Sequence, residues 1–216
     1  HYAQACDIDM DFASWRVADG YGWNPIGCSN LTPFSGHYHG KGQKITNLWS
    51  ERNNSSFVAL FGCVTNTRID SLTIESARIE GWFSSAALVG CALTRSGCQD
   101  VTYISNCKVE NSSIFGNGSS SPTDNSLAIG GLVGTVEEYA QLYIDRCEIA
   151  SSKQIVGGYA VGGLLGAGAL MSKAIISDCV NNANITSYYA PCGGIVGSAD
   201  SLFIVGCTNN GNIQAN

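Results

Sequence analysis

A five-residue box recurs along this chain and leaves few folds open to it: Val58-Ala59-Leu60-Phe61-Gly62, Ala86-Ala87-Leu88-Val89-Gly90, Gly130-Gly131-Leu132-Val133-Gly134, Gly162-Gly163-Leu164-Leu165-Gly166 and Gly193-Gly194-Ile195-Val196-Gly197. The closing glycines are separated by 28, 44, 32 and 31 residues. A second series follows the boxes in register: Ile69-Asp70-Ser71-Leu72, Ile104-Ser105-Asn106-Cys107, Ile144-Asp145-Arg146-Cys147, Ile176-Ser177-Asp178-Cys179 and Ile204-Val205-Gly206-Cys207. A third element, an Asn/Gly turn leading into one apolar residue, appears at Asn181 to Ile185 and again at Asn209 to Ile213. Three short strands per unit cannot bury their apolar sides alone, so successive units must stack into one core. The 26 glycines and the alternation from Ile74 to Ile79 exclude helical solenoids. A propeller blade needs about 40 or more residues and four strands, and three of the four intervals are shorter. The pattern predicts an all-β fold, a right-handed single-stranded parallel β-helix of about six turns.

The expected organisation is one continuous domain, with residues 1–50 as N-terminal cap and first turn and 51–216 as repeats. The long interval holds a Ser/Gly-rich stretch without apolar periodicity, predicted as a loop insertion over 115–127. Only 13% of residues are charged, the net charge is −6, and Lys and Arg form no cluster. That balance excludes a phosphate-reading surface, so neither nucleic acid nor anionic lipid is expected as a partner. No apolar run approaches the roughly 20 residues of a membrane span, so no membrane insertion is expected. No charged-then-apolar signal precedes His1, and the chain is expected to be soluble, with any leader already removed.

Ten cysteines would ordinarily point to an oxidised disulfide framework. Four of them, Cys107, Cys147, Cys179 and Cys207, share one register position. In a parallel stack they should lie about 4.8 Å apart and point the same way, whereas a disulfide needs Cβ atoms that face each other. They are expected to form a structural cysteine ladder of buried thiols, with Cys63 and Cys91 as a similar pair. Cys6, Cys28, Cys98 and Cys192 lie outside the ladder and are the expected disulfide formers. No C-x-x-C spacing occurs, and a linear ladder is not a tetrahedral site, so no metal is expected there.

Other candidates carry less chemistry. Asp7, Asp9 and Asp11 alternate on a strand, as calcium ligands might, but Phe12 stands where an EF-loop needs glycine and Ala18 where it needs glutamate. A solvated strand edge is the expected reading. Asp70 and Asp145 share a register across one intervening rung, which puts them about 9.6 Å apart; Asp178 is displaced by one residue. His37 and His39 flank Tyr38; a metal pair is the alternative there, but they are expected in an exposed turn near the N-terminal end, and no metal site is expected in the chain. No catalytic residue and no cofactor is expected. Trp49, Trp82, Phe83, Tyr188 and Tyr189 fall between boxes and are the candidate binding residues, where aromatic rings would stack on sugars. Asn181/Asn182 and Asn209/Asn210 are expected to form amide ladders inside the coil.

The order of motifs resembles the GLUG repeat family of bacterial secreted and cell-wall proteins. The resemblance covers most of the chain and rests on Asp7-Ile8-Asp9-Met10, Trp23-Asn24-Pro25-Ile26-Gly27, the run from Phe34-Ser35-Gly36 through Gly40-Lys41-Gly42 to Ile45-Thr46-Asn47-Leu48, and the boxes. His39 departs from the family's usual Asp, and Gln43-Lys44 from its His-Thr-like pair. What the resemblance implies is a right-handed β-helix, secreted or displayed on a bacterial surface, as in adhesins and noncatalytic regions of IgA-cleaving peptidases. The expected function is therefore noncatalytic: adhesion, or a structural spacer. A host glycan or extracellular protein would be the partner, along with further repeats of the same parent chain. The alternative is a carbohydrate-active enzyme or carbohydrate-binding module on the same scaffold.

Overall fold

The computed structural model describes residues 1–11, 20–95, 98–116, 128–150, 153–189 and 191–215. Among them every regular element is a strand, and every strand-to-strand pairing is parallel. The chain winds as a β-solenoid of about six turns, its strands stacked on successive turns. One face stacks seven strands: Ile8–Asp9, Lys44–Thr46, Thr73–Glu75, Lys108–Glu110, Glu148–Ile149, Val180–Asn181 and Thr208–Asn209. A second stacks Trp49–Arg52, Arg78–Gly81, Ser113–Gly116, Gln154–Gly157, Ile185–Ser187 and Ile213–Ala215. The long strand Phe61–Asp70 bends across two further faces. Its first half continues into Val89–Ala92, Val133–Val136, Leu165–Gly168 and Val196–Ser198; its second half lies between Phe34–His39 and the ladder Val101–Ser105, Gln141–Asp145, Lys173–Ser177 and Ser201–Val205.

Alternation decides which side chains go inside. In the last of these ladders Ile69, Ile104, Ile144, Ile176 and Ile204 are in register and point inward; the first four are at most 1% exposed. The column Ile79, Ile114, Ile155, Ile185, Ile213 does the same on another face. A third column runs Ile45, Ile74, Val109, Ile149 and then changes to Asn181 and Asn209. Asn181 is fully buried, and its amide donates to the Asn209 side chain at 2.8 Å and to the Ala183 carbonyl at 3.1 Å. The neighbouring pair, Asn182 and Asn210, is linked at 2.8 Å outside the coil. Of the two expected asparagine ladders, only the first is internal, because adjacent strand residues face opposite sides.

The closing glycines of the boxes form a ladder that begins at Gly27. A Cβ on Gly62 would lie 2.7 Å from the Gly27 carbonyl oxygen; on Gly90, 2.7 Å from that of Gly62; on Gly134, 2.5 Å from that of Gly90; on Gly166, 2.6 Å from that of Gly134. Each turn therefore rests on the backbone below with no room for a side chain. At the corner that precedes each ladder cysteine the chain takes a left-handed residue, Ser71, Asn106, Arg146, Asp178 or Gly206, with φ between 48° and 64°. That bend turns the next residue, Leu72 or a cysteine, into the core.

Cys107, Cys147 and Cys179 are buried and Cys207 partly so. The Cys107 N–H donates to the Cys147 sulfur at 3.4 Å, and the Cys147 N–H to the Cys179 sulfur at 3.3 Å. Each thiol points to the carbonyl two residues earlier, as Cys179 does to Ser177 at 3.0 Å. Cys6, Cys28, Cys98 and Cys192 are free thiols, as are the other six. The disulfide expectation for those four is corrected: Cys6 and Cys28 belong to the start of the coil, Cys98 follows Val89–Ala92, and Cys192 opens a strand beside the last box. Phe115, expected in the loop, instead lies in the strand Ser113–Gly116, paired with Glu80 and Val156; residues 117–127 lie outside the described residues.

Candidate functional site

The five aromatic residues singled out from the sequence do not converge on one site. Trp49 pairs in register with Arg78 on the outer side of its strand, half-buried. Its ring lies over Gly22, where a Cβ would come within 2.5 Å of it. Trp82 and Phe83 follow Arg78–Gly81 and stack on each other, with centroids 5.0 Å apart and planes 14° apart. Tyr188 and Tyr189 follow Ile185–Ser187, three layers further along the same corner, or roughly 14 Å at the strand spacing. Both are exposed.

A different set converges on the outer side of the ladder that begins at Phe34–His39. Residues one place before each inward isoleucine form the column His37 (before Tyr38), Arg68, Tyr103, Tyr143, Ile175, Phe203; those one place after form His39, Asp70, Ser105, Asp145, Ser177. Tyr103 and Tyr143 stack with centroids 4.9 Å apart and an interplanar angle of 24°, and Tyr103 is 46% exposed. Asp145 accepts from the Ser177 hydroxyl at 2.7 Å and pairs with Arg146 at 2.7 Å. A shallow cavity of about 390 Å³ opens at the N-terminal end of this face, lined in part by His37, Arg68 and Tyr103. The result is a strip with Tyr103, Tyr143 and Phe203 along one column and hydroxyl and carboxylate groups along the other. Such a strip can stack on a ring and hydrogen-bond to its edge.

At the head of the strip His37 and His39, two places apart on one strand, project the same way and meet Asp70 on the next turn. They are strand residues, not the turn residues the sequence predicted. His37 Nε2 lies 2.5 Å from Asp70 Oδ2, and His39 Nδ1 contacts Asp70 Oδ1. Arg68 Nε is 3.6 Å from the same carboxylate. Burial works against the charge on Asp70, but the hydrogen bonds from His37 and His39 outweigh it and hold the carboxyl below its ordinary value. The expected pairing of Asp70 with Asp145 is present as register only, since Ser105 stands between them and each carboxylate has its own partners. Asp7 and Asp9 brace the strand Ile8–Asp9 against the next turn: Asp7 accepts from the Lys44 N–H at 2.8 Å, and Asp9 from the Asn47 amide at 2.9 Å.

The tyrosine stack lies one residue before the repeated Ile-x-x-Leu/Cys series. Tyr103 and Tyr143 immediately precede the aligned Ile104 and Ile144, so extending the register backwards by one position reveals them. Asp70 with His37 and His39 is harder to see, because it depends on which turn follows which.

No protein-family model matches the chain. A provisionally assigned Gly-rich membrane protein of Evansella cellulosilytica is 37% identical over 89 residues, which is 40% of this chain and 10% of the relative. Halomucin of Haloquadratum walsbyi is 27% identical over 188 residues, which is 84% of this chain and 2% of the relative. The chain thus spans a small fraction of these two proteins. Among solved structures, a Bacteroides ovatus protein provisionally assigned as an immunoglobulin A1 protease superposes with a TM-score of 0.74 at 18% identity, covering 99% of this chain and 60% of the other. That likeness is one of fold: a parallel β-solenoid.

Proposed function

We propose that this chain is a noncatalytic β-solenoid module built of GLUG-like repeats, secreted or displayed on a bacterial surface, that adheres to a glycan or extracellular protein through the strip headed by His37 and His39. The observation that carries the reading is the Tyr103/Tyr143 stack, with Tyr103 exposed and Tyr143 half-buried, beside the Ser105, Asp145 and Ser177 column, on a sheet whose backbone is fixed by pairing on both sides. Aromatic stacking against a ring with flanking hydrogen-bonding groups suits carbohydrate recognition. The relatives' names, a Gly-rich membrane protein and a halomucin, agree with a surface setting. The carboxylate partnerships support binding over glycoside cleavage: Asp70 is engaged with two histidines and held below its ordinary value, where a general acid needs a raised pKa, and Asp145 is engaged with Ser177 and Arg146. Further repeats of the parent protein are the natural neighbours of the last turn, whose Leu202, Ile204 and Ile213 are between 40% and 49% exposed.

The test is binding of the purified chain to a glycan and extracellular-matrix array, run beside a turnover assay on pooled polysaccharides. Saturable binding without turnover is expected, weakened about tenfold or more in Tyr103→Ala/Tyr143→Ala and unchanged in Tyr188→Ala/Tyr189→Ala. Released oligosaccharides would overturn the noncatalytic reading, and binding indifferent to the Tyr103/Tyr143 change would overturn the strip.

A further inference from the structure

We infer that His37, His39 and Asp70 form a binding site for a late first-row divalent metal ion, with zinc as the reference case. Among the described residues this is the one group of three His, Cys, Asp or Glu side chains whose ligand atoms converge, all lying within 4.8 Å of one another. The convergence follows from the fold. Residues at i and i+2 of a strand share a face, so His37 and His39 present two imidazoles outward from Phe34–His39. The register His39↔Asp70 places the carboxylate beside them on the next turn.

The donor set selects the ion. Calcium and magnesium want six or more oxygens, whereas two imidazole nitrogens and one carboxylate suit zinc, nickel, copper or iron. Zinc bonds of about 2.0–2.1 Å in a tetrahedron require donors about 3.3 Å apart. The two histidine–carboxylate pairs, now in hydrogen-bond contact, would open by roughly an ångström to reach that spacing, which the ring torsions supply. Asp70 is the anchored ligand, its side chain 10% exposed, while the histidine side chains are 30% and 41% exposed. The ion would sit at the surface with its fourth position facing solvent, next to the cavity lined by His37, Arg68 and Tyr103. Three protein ligands and an open position describe a site that takes water or an exogenous anion. Arg68 Nε lies 3.6 Å from the Asp70 carboxylate, and its side chain, 61% exposed, has room to move away from a bound cation.

Chelator-treated protein titrated with Zn²⁺ by calorimetry is expected to bind one equivalent. Co²⁺ should give visible d–d absorption without the near-ultraviolet band of a thiolate ligand, which separates this site from the free cysteines. His37→Ala, His39→Ala and Asp70→Asn should each weaken binding at least about tenfold, and saturating Zn²⁺ should raise the melting temperature of the unmodified chain but not of His37→Ala/His39→Ala. Circular dichroism of that double variant checks its fold, which partly exposed side chains should not carry. Absence of stoichiometric binding, a thiolate band, or undiminished affinity in a folded double variant would each overturn the site.

Discussion

At the scale of single residues, the closing glycine of each box is a steric necessity rather than a turn signal. Gly134 sits 2.5 Å, measured from a built Cβ, from both the Gly90 carbonyl oxygen and the Ser84 carbonyl carbon. Both obstacles are backbone of the turn below, so no rotamer change can relieve them. Gly134→Ala must push two turns apart, and we expect a loss of about 3 kcal/mol or more, at the severe end of overpacking in a filled core. Urea denaturation measures it. A loss below about 1 kcal/mol, the cost of ordinary conformational restriction at glycine, would show that the ladder is not close-packed. The recurrence of this glycine was plain in the sequence, but its cause was not: the contact is with a residue 44 positions earlier, and only the stacking order identifies it. The same limit hid the partnership of Asp70 with His37 and His39, while Trp82 and Tyr188, alike as aromatic residues beside turns, proved to be three layers apart.

At the scale of the element, the cysteine column behaves as one polarised row. The sulfurs of Cys147, Cys179 and Cys207 each accept from the cysteine N–H of the turn before, and every thiol of the column points at the carbonyl two residues earlier on its own turn. Burial pushes the Cys147 thiol well above its usual range; for Cys179 the hydrogen bond with Cys147, followed by burial, does the same. Thiolate is the reactive species, so these sulfurs should be inert while the coil is intact. Alkylation of the native protein followed by mass spectrometry is expected to label exposed Cys6, Cys28 and Cys98 quickly, and to leave Cys63, Cys91, Cys107, Cys147 and Cys179 unmodified until denaturant is added. Native labelling of Cys147 at a rate near that of Cys98 would show that the column opens locally. The shared register was legible because Ile-x-x-Cys repeats unchanged. The left-handed corner that aims each cysteine inward was not, since Ser71, Asn106, Arg146 and Asp178 have no side-chain type in common.

Across the whole molecule, stability should vary with position along the coil, because each turn is held mainly by the turns on either side. The isoleucine column supplies the same residue in the same inward register at successive heights. Ile144 is fully buried between Ile104 and Ile176, whereas Ile204 has a neighbour on one side only and is 43% exposed. Truncating a fully buried isoleucine costs about 2–5 kcal/mol, so Ile144→Ala should fall in that range. Ile204→Ala removes a side chain that already has close to half its surface in water, and its cost should be less than half as great. Hydrogen exchange should follow the same gradient, with amides of Ser201–Val205 and Ile213–Ala215 exchanging well before those of Gln141–Asp145. If the two substitutions cost the same and exchange is uniform, the chain unfolds as a single cooperative block and neighbour-to-neighbour stacking does not govern its stability. A steep gradient would instead mean that covering the last turn, by more repeats or by a partner, raises the stability of the adjacent turns without altering any contact made by Ile144.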